Sequence, residues 1–173
     1  APHPKPGATH HAAQLGRHTL KWEQHTEFVS YTLYSDGVSE RPFDPVDFEV
    51  LPGDWLEQAP GQRITSLMLR VLPRPDTAEI KSKLQDWLVP ESMAVSQVLD
   101  DNAVVAGDFR IDPAGHMRFA AFVNRETGSR RIGRIVQRLC ELETYRAMSM
   151  LGFSRARGLS PTLGGLATHL SEI

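Results

Sequence analysis

The sequence predicts an α+β fold: a mainly antiparallel sheet, a meander, with helices covering one face. Three observations carry the prediction. Short β-prone segments joined by turn chemistry recur between residues 17 and 123. One helical stretch, about 77–88, interrupts them. A long amphipathic run follows at 129–151.

Residues 1–16, APHPKPGATHHAAQLG, mix prolines, glycines and histidines with no period of two or 3.6. They read as an extended or flexible arm. Leu20–Trp22 and Phe28–Tyr34 are rich in β-branched and aromatic residues and read as strands. SDGVSERPFDP at 35–45 is turn chemistry. LPGDWLEQAPGQR at 51–63 has room for one helical turn, capped by Asp54. In 64–72, Leu67, Leu69 and Val71 alternate onto one face, as in a core strand. Asp76 or Thr77 caps the helix that follows, whose stripe is Ile80, Leu84, Trp87 and Leu88. Strands at 93–99, 103–111 and 117–123 come next, with a type I turn at Asp112–Gly115. Their short connections imply antiparallel neighbours. Gly152 suits the position just past the end of the 129–151 helix. Ser160-Pro161 suits the start of another, with Leu163, Leu166, Leu170 and Ile173 at helical spacing. The organisation expected is an arm at 1–16, one α+β domain at 17–158 and the start of a C-terminal helix at 159–173.

At 173 residues the chain can bury a sizeable core without staples. A formal net charge of −2 gives no overall field that favours nucleic acid or acidic lipid. The single cysteine, Cys140, excludes an intramolecular disulfide and sits on the helix stripe as apolar filler. No apolar run reaches the ~18 residues of a spanning helix, and no signal peptide opens the chain. The chain starts without Met and ends inside a helical pattern, so it is expected to be part of a longer protein.

On the long helix, Glu143 falls inside the apolar stripe of Ile132, Ile135, Val136, Leu139, Ala147 and Met150. Arg146 lies three positions on, within reach of Glu143. A buried carboxylate needs more than one local partner, so the sheet is expected to supply further donors. The pair reads as a structural lock or, with a shifted pKa in a cleft, as a functional site. Arg130, Arg131, Arg134 and Arg138 cluster near the helix start, where cations oppose the macrodipole. They are candidate anion-binding residues, facing nearby acids or an anionic partner. No aromatics interleave with them, which argues against nucleic acid.

On an extended strand, Glu23, His25 and Glu27 share one face, and Val29, Tyr31 and Leu33 continue it. Oxygen, nitrogen, oxygen is a metal-compatible donor set and a weak signal alone. No HExxH, CxxC, P-loop, GxGxxG or GxSxG supports a metal, a nucleotide or a serine nucleophile, and no cofactor is expected. Asp108, Arg110 and Arg118 are expected to form an exposed cross-strand ion pair.

Three segments, LKWEQHTEFVSYTLY, VVAGDFRIDPAGHMRFAAFVN and GRIVQRLCELETYRAMSMLGFSRARGLSPTL, together resemble a bacterial family of uncharacterised, predicted membrane-anchored proteins. The W-E-x-H-T-E-F and C-E-L-E-T-Y-R stretches are its most distinctive parts. The resemblance implies a soluble core on the cytoplasmic side of the inner membrane. The family's upstream His-Ala-Arg-Pro segment and its C-terminal anchor would be missing from this chain. It brings no catalytic residues.

Two functions are therefore expected to compete. The first is a non-enzymatic binding or scaffold domain that is tethered to a membrane, with an anionic lipid, a protein or a second copy as partner. The second is a metal-dependent or acid–base enzyme. In it Glu23, His25 and Glu27 would meet Glu143 and Arg146 in a pocket between the 21–34 strand and the 129–151 helix.

Overall fold

Gly16-Arg17 reverses the chain in two residues, with Gly16 at φ 59°, as the first central position of a tight hairpin turn requires. The turn pairs β1 (His10–Leu15) with β2 (His18–Gln24), and β3 (Val29–Ser35) adds on the other side. All pairings in this three-stranded sheet are antiparallel. In this computed structural model the described residues are 3–38, 43, 50–51 and 53–171. They divide into two units, 1–39 and 40–173, each treated by itself below.

The second half of the expected arm is thus strand β1, because Ala13 has a buried place in the hairpin once the turn forms. Most of the expected 35–45 turn lies outside the described residues, as does Ile173.

In the second unit α1 (Gly53–Gln58) is the single helical turn expected near Asp54. The four-stranded sheet has the order β4 (Leu67–Pro73), β7 (Met117–Val123), β6 (Ala103–Gly107), β5 (Ala94–Val98). The β5-β6-β7 meander is antiparallel, as expected, whereas β4 runs parallel to β7. Helix α2 (Thr77–Trp87) starts where Asp76 accepts from the Glu79 N–H at 2.8 Å. Strand β6 ends four residues before 111. Phe109 adopts φ 52°, and the Asp108 carboxylate takes hydrogen bonds instead of continuing the ladder.

Helices cover both faces of this sheet, which corrects the expectation of one. Ile80, Leu84 and Leu88 pack on Val104, Ala106, Ala120 and Phe122, with Trp87 stacked 5.9 Å from Phe122. Ile135, with Ile132 and Leu139, packs on Ala103, Ala121 and Val123 from the other side. Alternate residues of β6 and β7 serve opposite cores. Both strands are nearly continuous apolar runs, which is the sequence signal of a strand buried on both faces.

The long helix α3 runs from Ser129 to Ser171 without a break. The expected stop at Gly152 fails because Gly152 keeps a negative φ, and a glycine ends a helix by turning left-handed. The expected start at Ser160 also fails. Pro161 costs the helix one N–H donor and crowds the carbonyl of Arg157, yet the helix continues through it.

Candidate functional site

Three segments of the second unit converge at the leading ends of β4 and β7. They are residues 63–66 before β4, residues 111–117 turning into β7, and the fourth and fifth turns of α3. The parallel register, Leu67 opposite Met117, sets the first two side by side, and Met117 N–H donates to the Ser66 carbonyl at 2.8 Å. Between them and α3 lies a cavity of about 200 Å³ lined by Arg63, Thr65, Ser66, Ile111, Met117 and Arg146, among others.

Glu143 forms the back of this arrangement. It is 1% exposed, so its carboxylate needs partners. Thr65 Oγ1 donates to Oε1 at 2.7 Å. Arg146 Nε donates to Oε2 at 2.8 Å and Nη2 to Oε1 at 2.9 Å. The further donor comes not from a strand of the sheet but from Thr65, in the segment that leads into β4. All of these partners belong to its own unit. The hydrogen bond to Glu143 raises the Arg146 pKa above its ordinary value, so the guanidinium stays charged. The two-point contact also fixes the guanidinium plane and leaves Nη1 with no hydrogen bond among the described residues.

His116 is 5% exposed and stands beside Ser66, with Nδ1 and Ser66 Oγ 2.8 Å apart. Burial lowers its pKa; the Asp112 carboxylate opposes that shift and the Arg63 charge adds to it. Asp112 Oδ1 accepts the His116 backbone N–H at 2.8 Å, closing the tight turn expected at 112–115. Gly115 takes φ +88° there, and a Cβ on it would collide with the Arg63 guanidinium. Arg63 itself is exposed and makes no hydrogen bond or ion pair among the described residues.

A second polar joint lies at the same leading end of β7, on its β6 side. Asp108 is fully buried and accepts from Val89 N–H at 3.1 Å, Arg110 N–H at 3.2 Å and the Arg118 guanidinium. The Asp108–Arg118 pair is thus buried, not exposed as expected, because covering both sheet faces removes the solvated side of the hairpin. Arg118 Nε has no partner among the described residues.

The Glu23, His25 and Glu27 triplet does not share a strand face. Gln24 pairs with Val29, so residues 25–28 form the reversal between β2 and β3. Glu23 stays on β2, 2.9 Å from Lys21 Nζ. His25 and Glu27 lie exposed in the turn, with His25 stacked on Phe28 and its Nε2 3.3 Å from Ser30 Oγ. No group of three His, Cys, Asp or Glu side chains among the described residues is placed to hold a metal ion. Arg130, Arg131, Arg134 and Arg138 are all exposed, and the first two line an open surface cavity of about 590 Å³ with Glu126, Gly128 and Ser129.

Arg63, Thr65, Ser66 and His116 escape a reading of the sequence alone. Thr65 and Ser66 look like strand residues and His116 like the end of a turn. The available signal is a pair of adjacent hydroxyls just ahead of a core strand, while a buried carboxylate elsewhere lacks donors.

A family model described as a protein of unknown function (DUF3422) matches residues 1–173. No curated protein and no solved structure matches the chain. No helix among the described residues is long and apolar enough to cross a membrane.

Proposed function

Because the chain belongs to the DUF3422 family, whose function is unknown, we propose a function from its own architecture. It is a non-enzymatic scaffold domain of a membrane-anchored bacterial protein, facing the cytoplasm and assembling through the outer part of α3 with a second copy of itself.

The observation that carries this reading is the pattern on residues 149–171, all exposed. Leu159, Leu163, Leu166 and Leu170 follow one another at steps of four, three and four, and each is more than half exposed. Tyr145, Ser149, Gly152 and Ala156 extend the same 3–4 seam toward the core. A seam of 3.5-residue period is what a helix presents to another helix in a coiled coil. Gly158, Pro161, Gly164 and Gly165 fall off the seam on the outward positions, while Gly152 sits on it. Only Arg155 and Arg157 carry a formal charge between 149 and 171, too few for a helix built to face water on every side. An identical helix supplies the same knobs and holes about a two-fold axis, which favours a second copy as the occupant.

The four exposed arginines at the start of α3 support a membrane-side location. Each basic residue near an anionic leaflet contributes about 1 kcal/mol.

Light scattering on the purified chain tests the assembly. The expected mass is twice 19.3 kDa, returning to the monomer value in Leu163→Asp/Leu166→Asp with the sheet domain still folded. A wild-type chain that stays monomeric up to its solubility limit removes the self-pairing role.

A further inference from the structure

We propose that the cavity between Arg63 and Arg146 is a binding site for a small oxyanion, the carboxylate or phosphate group of a small molecule. It uses residues separate from the α3 seam and stands or falls independently of the assembly.

Four features point to an oxyanion. First, two guanidinium groups line one cavity of about 200 Å³ from different segments, Arg63 ahead of β4 and Arg146 on α3. Second, the two cations are in different states. Glu143 holds Arg146 through Nε and Nη2, so that its charge is matched and its plane is fixed while Nη1 remains free to donate. Arg63 has no ion pair among the described residues and supplies the unmatched charge. A fixed planar fork beside a free cation suits the geometry of a carboxylate or phosphate. Third, the Ser66 hydroxyl lies on the cavity wall, held by His116 at 2.8 Å, and adds a neutral polar group. Fourth, Ile64, Ile111 and Met117 form an apolar flank, which matches a few carbon atoms attached to the anion. The volume is about that of six or seven waters, which limits the ligand to a few heavy atoms.

Gly115 belongs to the same design. The Arg63 guanidinium occupies the place where a side chain at 115 would begin. The turn that carries His116 therefore also seats Arg63.

In this reading Glu143 is a positioning residue. Buried and hydrogen-bonded to Thr65, it holds Arg146 toward the cavity without needing to touch the ligand.

Titration of the ¹⁵N-labelled chain with butyrate, inorganic phosphate or chloride, followed by amide chemical shifts, tests the site. Butyrate or phosphate is expected to produce saturable shifts at residues 63–66 and 111–117, with chloride as the ionic-strength control. Stronger binding of butyrate assigns the carboxylate class; stronger binding of phosphate assigns the phosphate class. Arg63→Gln, on an exposed side chain whose loss leaves the fold intact, is expected to weaken binding about tenfold or more, the effect of losing one charge-assisted contact. Arg146→Gln should do the same, and Glu143→Gln should weaken binding less. Shifts no larger than with chloride for both anions overturn the proposal, as does an Arg63→Gln protein that titrates like the wild type.

Discussion

Arg146 lies one helical turn after Glu143 and closes on both of its carboxylate oxygens, at 2.8 and 2.9 Å. The carboxylate is 1% exposed while the arginine side chain keeps a third of its surface. The pair is therefore a buried anion held by a cation that still reaches solvent. This asymmetry decides what its removal does.

Glu143→Ala strands Thr65 Oγ1 and loosens Arg146, but the guanidinium can turn to water. The expected loss is about 2–3 kcal/mol in urea unfolding, below the cost of leaving a charge wholly buried. Arg146→Ala should cost at least as much, because it leaves the buried carboxylate with Thr65 alone. A loss under about 0.5 kcal/mol for both would mean the pair does not hold α3 to the sheet unit.

Asp108→Ala is expected to cost more, about 3–5 kcal/mol. It removes the acceptor for two backbone N–H groups and for a mostly buried Arg118 at once. Asp108→Asn retains the shape and loses the charge, so its cost should lie between that of Ala and none. Equilibrium denaturation of the two variants, compared with an Asp108/Arg118 double mutant, separates the ion pair from the backbone bonds.

His116 sets a pH dependence. Burial lowers its folded-state pKa below the usual 6.5, so the unfolded chain binds the proton more readily. Its contribution is then fully present above pH about 6.5 and declines as pH falls below that value. Unfolding midpoints measured between pH 7.5 and about 5, above the range where carboxylates titrate, should fall with acidity. In His116→Asn the slope should flatten. An unchanged slope would assign the pH dependence to other groups.

The arginines of α3 predict salt-dependent lipid binding. Vesicles rich in anionic lipid should retain the chain weakly at low salt and release it as salt rises. Arg131→Ala/Arg134→Ala/Arg138→Ala should abolish retention without changing the mass by light scattering. Retention that survives those three changes excludes a headgroup role for the cluster.

Features set by nearest neighbours in sequence were legible from the start. The capped start of α2 at Asp76, the 117–123 strand, the Asp112–Gly115 turn and the Glu143–Arg146 contact all follow from spacing within a few residues. Caps, period and i,i+3 reach are local physics. The E-x-H-x-E triplet shows the opposite case: its strand-like spacing meant nothing once Gln24 paired with Val29 and turned the chain between its members.

What the tertiary structure alone decided depends on contacts between distant residues. Thr65 reaches Glu143 across 78 positions, and Ser66 meets His116 across 50, because β4 pairs in parallel with β7. Asp108 likewise is buried where the Val89 N–H, 19 positions back and just after α2, meets its carboxylate. The sequence by itself determined that a charge on the α3 stripe needed partners. Which partners it found, and that they frame a cavity, followed from the pairing of β4 with β7, strands distant in sequence, which no local pattern specifies.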